Sequence, residues 1–430
     1  MKTLTGITLA GALAASLFAP FAANAQDIEL TYLTHWSPET VALLEKAAGA
    51  YSSQHPGVTV SVRAVPFGDL LTTIRSGGAP TIASIYDLWL PELVRDGLVA
   101  QAPEAVAKDV QANWSEGIAA AAGVKGTIYG IPNEINVYAL NYNKALFKEA
   151  GIEKPPATWA EFKDAAAKLT KKNGDQVTQQ GFGFINSWAA GVVHPFASLL
   201  ASNGGNLIED GKPKLDSQAA KETFELYDTF VKDGYSVPAM GTADANTTGP
   251  FLDNFVSGKT GMIIMANWWE SALKAGMGDK FADIGTAPIP VGPSGDKAHS
   301  ISYSWMTVVN ASASDAERTA AWDFLAWLNG QGSGEKGASA MADILQSMGI
   351  LPSRTSDIAA YKDALGRPFL EGYVASLADA RAFPVVLGGQ EFSEEIQQTL
   401  EQLEYGKLSA ADAQKNVQEN ATSILERAAQ

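Results

Sequence analysis

Apolar and polar positions alternate from Asp27 to Tyr32, which predicts a strand. Thr34-His35-Trp36-Ser37-Pro38 follows, where Ser37 suits a helix N-cap and Pro38 the first turn. Val41, Leu44, Ala48 and Tyr51 then return at helical spacing until Pro56-Gly57 breaks the run. Val58, Val60 and Val62 alternate as a second strand. Strand, crossover helix and strand in succession predict an α/β sheet. A helix over Asp69–Arg75 and a short buried strand over 80–85 continue the pattern. Asp87 stands just beyond that strand, at the end where open α/β sheets bind ligands. Later helices are predicted over Lys144–Ala150, His194–Ala201, Ser217–Val231 and Phe251–Gly258, and later strands over 181–184, 261–265 and 302–309. Thr158-Trp159-Ala160-Glu161 and Ser314-Asp315-Ala316-Glu317 have the spacing of capping boxes. Residues 329–340 are rich in Gly and Ser, and a polar helix over about 408–427 ends the chain.

The stretch from Gly130 to Lys144 stands apart. After Gly130-Ile131-Pro132 it runs extended through Ile135, Val137, Ala139 and Leu140, with Asn133, Glu134 and Asn136 mixed in. Hydrophobic regions long enough for separate cores lie on both sides of it. It reads as a strand leaving one lobe and entering another, and a polar strand between two lobes is where a ligand cleft forms.

The length of 430 residues favours two or more domains. A net charge of −16 repels nucleic acid and anionic membranes. Cysteine is absent, which excludes disulfides, thiol catalysis and cysteine-bound metals. Lys2, the apolar run Leu4–Phe21 and Ala23-Asn24-Ala25 form a secretory signal peptide over 1–25, with cleavage expected before Gln26. The mature protein is then expected free in the periplasm, and as a monomer.

No nucleophile elbow, phosphate loop or zinc-protease motif occurs, and His35, His55, His194 and His299 lack metal spacing. No cofactor is expected. Asp87 and Glu134 could pair as glycosidase carboxylates, so a secreted carbohydrate-active enzyme stays open as a rival reading. The positive signal is tryptophan, with ten copies. Trp36, Trp188, Trp268, Trp269 and Trp305 stand beside polar residues where elements end. Flat aromatics cover the apolar faces of sugar rings, while amides and carboxylates bond the hydroxyl rim. Of Trp268 and Trp269, one is expected to face a cleft and one to pack.

Several segments, in order, carry a family likeness: Ser76-Gly77-Gly78-Ala79-Pro80, Tyr129-Gly130-Ile131-Pro132, Leu140-Asn141-Tyr142-Asn143-Lys144, Thr158-Trp159-Ala160-Glu161-Phe162, Asn203-Gly204-Gly205, and Phe255-Val256-Ser257-Gly258-Lys259-Thr260-Gly261-Met262. Over essentially the whole mature chain it resembles the extracellular solute-binding proteins of ABC importers, in the sugar-binding class that includes maltose-binding protein. The resemblance implies a two-lobed periplasmic binding protein fold of type II. It puts the lobes at 26–136 plus 303–332 and 137–302 plus 333–430, closing on the ligand by a hinge. It implies delivery of a sugar or sugar derivative to a membrane permease dimer, without chemistry. A ligand-presenting protein for a chemoreceptor would share this fold.

Carried over by position, the ligand residues implied are His35 and Trp36 after the first strand, and Asp87, expected to accept sugar hydroxyls. Asn133, Glu134 and Asn136 come from the crossing strand, and Trp188 and His194 from the second lobe. Trp268 is expected to stack on a ring with Asn267 beside it. Tyr303 and Trp305 enter on the returning strand, and Arg354 is expected to bond a hydroxyl or an anionic substituent. Thr81 stands where this class commonly has Asp, and Asn136 where the maltose type has an acid.

Overall fold

The computed structural model describes residues 27–76, 80–243 and 249–430. The expected signal peptide lies outside the described residues, as do Gly77, Gly78 and Ala79 of the Gly-rich segment. Among the described residues no helix is long and apolar enough to cross a membrane.

The fold is α/β with two domains joined by shared strands. Ile28–Thr34 lies parallel between Val58–Ala64 and Ile82–Tyr86, as strand–helix–strand order requires. The returning strand, Ile301–Val309, pairs antiparallel with Ile82–Tyr86 on one side and with the crossing strand, Gly130–Asn143, on the other. Beyond it come Thr260–Ala266, Gln176–Gly183 and Lys171–Asn173.

The crossing strand changes partners part-way. Gly130 to Val137 pair with the returning strand, whereas Tyr138 to Tyr142 pair with Thr260–Ala266. On its other edge, Leu140 to Asn143 take Ile284–Ala287 and Glu134–Ile135 take Leu351–Pro352. Every residue of it except the partly exposed Tyr142 is buried, which explains its near-continuous apolar run where polar groups do not intrude. Helices Pro38–Gln54 and Asp315–Leu328 cover the first domain's strands, and Trp159–Leu169 covers Gln176–Gly183. Helix Ala340–Met348 packs against Pro38–Gln54.

Both capping boxes form, with Thr158 paired to Glu161 and Ser314 to Glu317. Elsewhere the pattern needs correction. Ser37 occupies the N-cap position but makes no capping bond; its hydroxyl meets Thr40 Oγ1 at 3.3 Å. The helix expected from His194 starts at Ala189 and runs through Pro195 to Ser202. The helix is buried nearly along its whole length, so packing outweighs the low helix propensity of Gly191 and Pro195. Two short helices, Glu104–Asn113 and Glu116–Ala121, lie in a stretch for which no element is predicted above.

Leu140 is fully buried where the crossing strand is held on both edges. Leu140→Ala is expected to lose about 2–5 kcal/mol of stability, read as a lowered urea midpoint.

Candidate functional site

Strand ends build the site, and side-chain alternation decides what enters it. Along the returning strand, Tyr303 and Trp305 line one space and Ser302 and Ser304 the space opposite, with Tyr303 bordering that one as well. On the crossing strand, Glu134 takes the Tyr303 side and Ile135 the opposite one. Ile82–Tyr86 ends with Tyr86 on that same side, and the following turn, Asp87–Trp89, carries Asp87 to the other.

On the Tyr303 side lies a cavity of ≈ 280 Å³. Eight of the thirteen expected residues line it: His35, Trp36, Glu134, Trp188, His194, Trp268, Tyr303 and Trp305. Phe67, Tyr86, Met348 and Ile350 complete much of the wall, with the hydroxyls of Ser37, Thr40 and Ser271. Sequence reasoning missed these. For Tyr86 the signal was present, because it ends the same strand that drew attention to Asp87.

Local structure fixes the aromatics. Asn267–Trp269 is a turn directly after Thr260–Ala266. Its two tryptophans part ways: Trp269 is 1% exposed and packs edge-on against Phe251, while Trp268 lines the cavity. Trp268 Nε1 donates to Tyr303 Oη at 2.8 Å, which locks its ring. Trp188 follows Ser187, a non-glycine residue at φ 71° whose N–H donates to Glu401 Oε1 at 2.7 Å. A Cβ on Gly191 would lie 2.5 Å from the Trp188 ring, so only glycine lets that ring settle on its own helix. His35 and Trp305 rings lie 4.1 Å apart.

His194 sits between two tyrosines. Tyr86 Oη lies 2.7 Å from its Nε2 and Tyr138 Oη 3.0 Å from its Nδ1. A neutral imidazole has one donor and one acceptor nitrogen, so one tyrosine donates and the other accepts. Burial pushes His194 down to about 3 and His35 to about 4, and both are neutral at pH 7. Among the described residues Glu134 is the one carboxylate lining the cavity, and no Lys or Arg lines it to offset that charge.

Glu134 is buried, and loss of water raises its carboxyl to about 7, against the Asn136 Nδ2 bond to Oε1 at 2.8 Å. Among the described residues its Oε2 has no hydrogen-bond partner, nor do Asn136 Oδ1 and Asn267 Nδ2. Buried polar atoms left open beside a cavity invite a polar ligand or water.

Five expected residues do not line this cavity. Asn133 Nδ2 donates to Asn329 Oδ1 at 2.9 Å. Asn136 supports Glu134 from behind, and Asn267 Oδ1 accepts the Val137 amide at 2.9 Å. Asp87 faces away, its Oδ2 accepting the Ser304 amide at 2.7 Å, and burial raises it to about 7. The expected reach of Arg354 to a ligand is not met either. It forks onto Asp109 at 2.7 and 3.0 Å, stacks 4.7 Å over the Trp114 ring, and so spends its donors on structure.

A family model for the bacterial extracellular solute-binding protein matches residues 36–335. The chain belongs to that family. A binding protein of Brucella abortus is 26% identical to this solute-binding protein over 409 residues, 94% of this chain and 95% of the relative. The GacH receptor of Streptomyces glaucescens, solved unliganded and with acarbose, superposes with a TM-score of 0.79 at 22% identity, over 93% of this chain and 98% of that one. A solute-binding protein from Thermotoga lettingae bound with α-D-tagatose gives 0.77 at 21% identity, over 93% of this chain and 100% of that one. These two share its fold, and family and fold are those of binding proteins.

Two outcomes test this geometry. Glu134 titrates at about 4.5 unfolded and about 7 folded, so the folded protein bears the cost of ionising it above that range. Glu134→Gln is therefore expected to raise the melting temperature of the ligand-free protein at pH 8, and the gain is expected to vanish by pH 4, where both states are protonated. Trp268→Ala is expected to weaken ligand binding at least about tenfold by calorimetry with an unchanged far-ultraviolet spectrum.

Proposed function

We propose that this chain is the periplasmic ligand-capturing component of an ABC importer, and that its ligand is a neutral sugar or glycoside. The observation that carries this reading is the wall of the cavity, which among the described residues has several aromatic faces, hydroxyls and one carboxylate, with two neutral histidines and no Lys or Arg. Aromatic faces suit the C–H face of a sugar ring, and Glu134 Oε2 suits a hydroxyl donor. A phosphate or carboxylate would meet no cation there. α-D-Tagatose, bound by one of the structural relatives, is a neutral sugar.

The domains we assign run 26–136 with 303–332 and 137–302 with 333–430, the segment 340–352 seated beside the first. The exchange of partners between Val137 and Tyr138 supports the first limit. Tyr86 meets His194 across the cleft, which favours a closed form once a ligand fills the space. That form would be captured as a monomer by a membrane permease dimer, after export directed by residues 1–25. Catalysis is not part of the proposal: Asp87 and Glu134 face opposite sides of the sheet, which argues against a carboxylate pair across one glycosidic bond.

The test is a thermal-shift screen of residues 26–430 against neutral mono- and disaccharides, polyols, glycosides and their phosphates. Ligands of the folded state raise the melting point by mass action. A neutral sugar is expected to raise it and to be recovered intact by mass spectrometry. Shifts with phosphorylated compounds alone, or a product of altered mass, would overturn the reading.

A further inference from the structure

The alternation that brings Tyr86, Glu134 and Trp305 to the cleft puts Asp87, Ile135 and Ser304 on the reverse of the same strands, and Tyr303 borders both spaces. A second cavity, of ≈ 360 Å³, lies there. Ile118, from helix Glu116–Ala121, forms one wall, and Leu377 and Phe383 form another. Asp87 lines the cavity and is 3% exposed. The Ser304 amide holds its Oδ2 and the Leu88 backbone also favours the ionised carboxylate, but among the described residues its Oδ1 has no hydrogen-bond partner. A buried carboxylate oxygen without a donor is costly. Among the described residues no other charged side chain lines this space.

We propose that this rear cavity, which adjoins the cleft across Tyr303 and the Phe383–His194 contact, is a second ligand site taking a compact organic cation: a primary ammonium on a short branched aliphatic body. The ammonium has three donors. One bonds Asp87 Oδ1, and the hydroxyls of Ser115 and Ser302, which line the same space, are available to the others. The carbon body packs against Ile118, Leu377 and Phe383. Charge selects the cation over an alcohol of equal shape, and the absence of a cationic side chain excludes anions. The aromatic cleft is the competing location for a cation, because aromatic faces also attract positive charge.

The probe is isobutylammonium chloride, titrated into residues 26–430 at pH 8 and followed by ligand-observed NMR, with isobutanol as the uncharged match. Saturable binding is expected, at least about tenfold tighter than isobutanol and at least about tenfold weakened by Asp87→Asn, as for loss of a hydrogen bond to a charged group. Ile118→Trp, which adds bulk to the cavity wall while leaving Asp87 in the chain, is expected to abolish binding, and Glu134→Gln to leave it unchanged. No saturable binding would overturn the proposal. So would equal affinity in wild type and Asp87→Asn, or loss with Glu134→Gln while Asp87→Asn binds normally, which would move the cation to the cleft. If Asp87→Asn does not fold, the isobutanol comparison and Ile118→Trp decide.

Discussion

A period of two along three adjacent strands governs this molecule. Successive residues of a strand face opposite sides. Tyr86, Glu134 and Tyr303 stand on neighbouring strands with the same parity, so their side chains converge on one space. A one-residue shift in any of these pairings would exchange Glu134 for Ile135, or Tyr303 for a serine. Register is held by burial: the crossing strand is paired on both edges and enclosed on both faces. The strand that joins the domains is therefore also the ruler that places the site.

The polar groups of the site are few and expensive. Glu134 is kept in low dielectric with one oxygen bonded and one open. Asn136 and Asn267 sit behind it, each anchored by one end of its amide. The histidines contribute as neutral rings, His194 by linking Tyr86 at the end of a first-domain strand to Tyr138 just past the hand-over. Rigid aromatics surround this small polar set, and the Trp268–Tyr303 bond holds two of them in place. Such preorganisation lowers the ordering cost of binding.

Much of this was legible in the chain. Capping boxes are local, so Thr158 and Ser314 could be read directly, and the crossing strand announced itself by Gly-Pro punctuation and extended apolar residues. Tryptophans beside polar residues pointed to the right space. What failed was facing and partnership. Asp87 is at the end of the right strand, but the turn it begins carries it to the far side of the sheet. Arg354 and Asn133 looked free because Asp109 and Asn329 are remote in sequence. Phe67, Met348 and Ile350 carry no chemical signal and reach the cavity only through packing.

The most direct measurement is a crystal structure of residues 26–430 grown with a neutral sugar that stabilises the protein. Expected is a sugar ring against Trp268 or its aromatic neighbours, with a hydroxyl within hydrogen-bond distance of Glu134 Oε2 and Asp87 untouched by the sugar. A sugar bound on the Asp87 side of the sheet, or in the cleft with no contact to Glu134, would contradict the account.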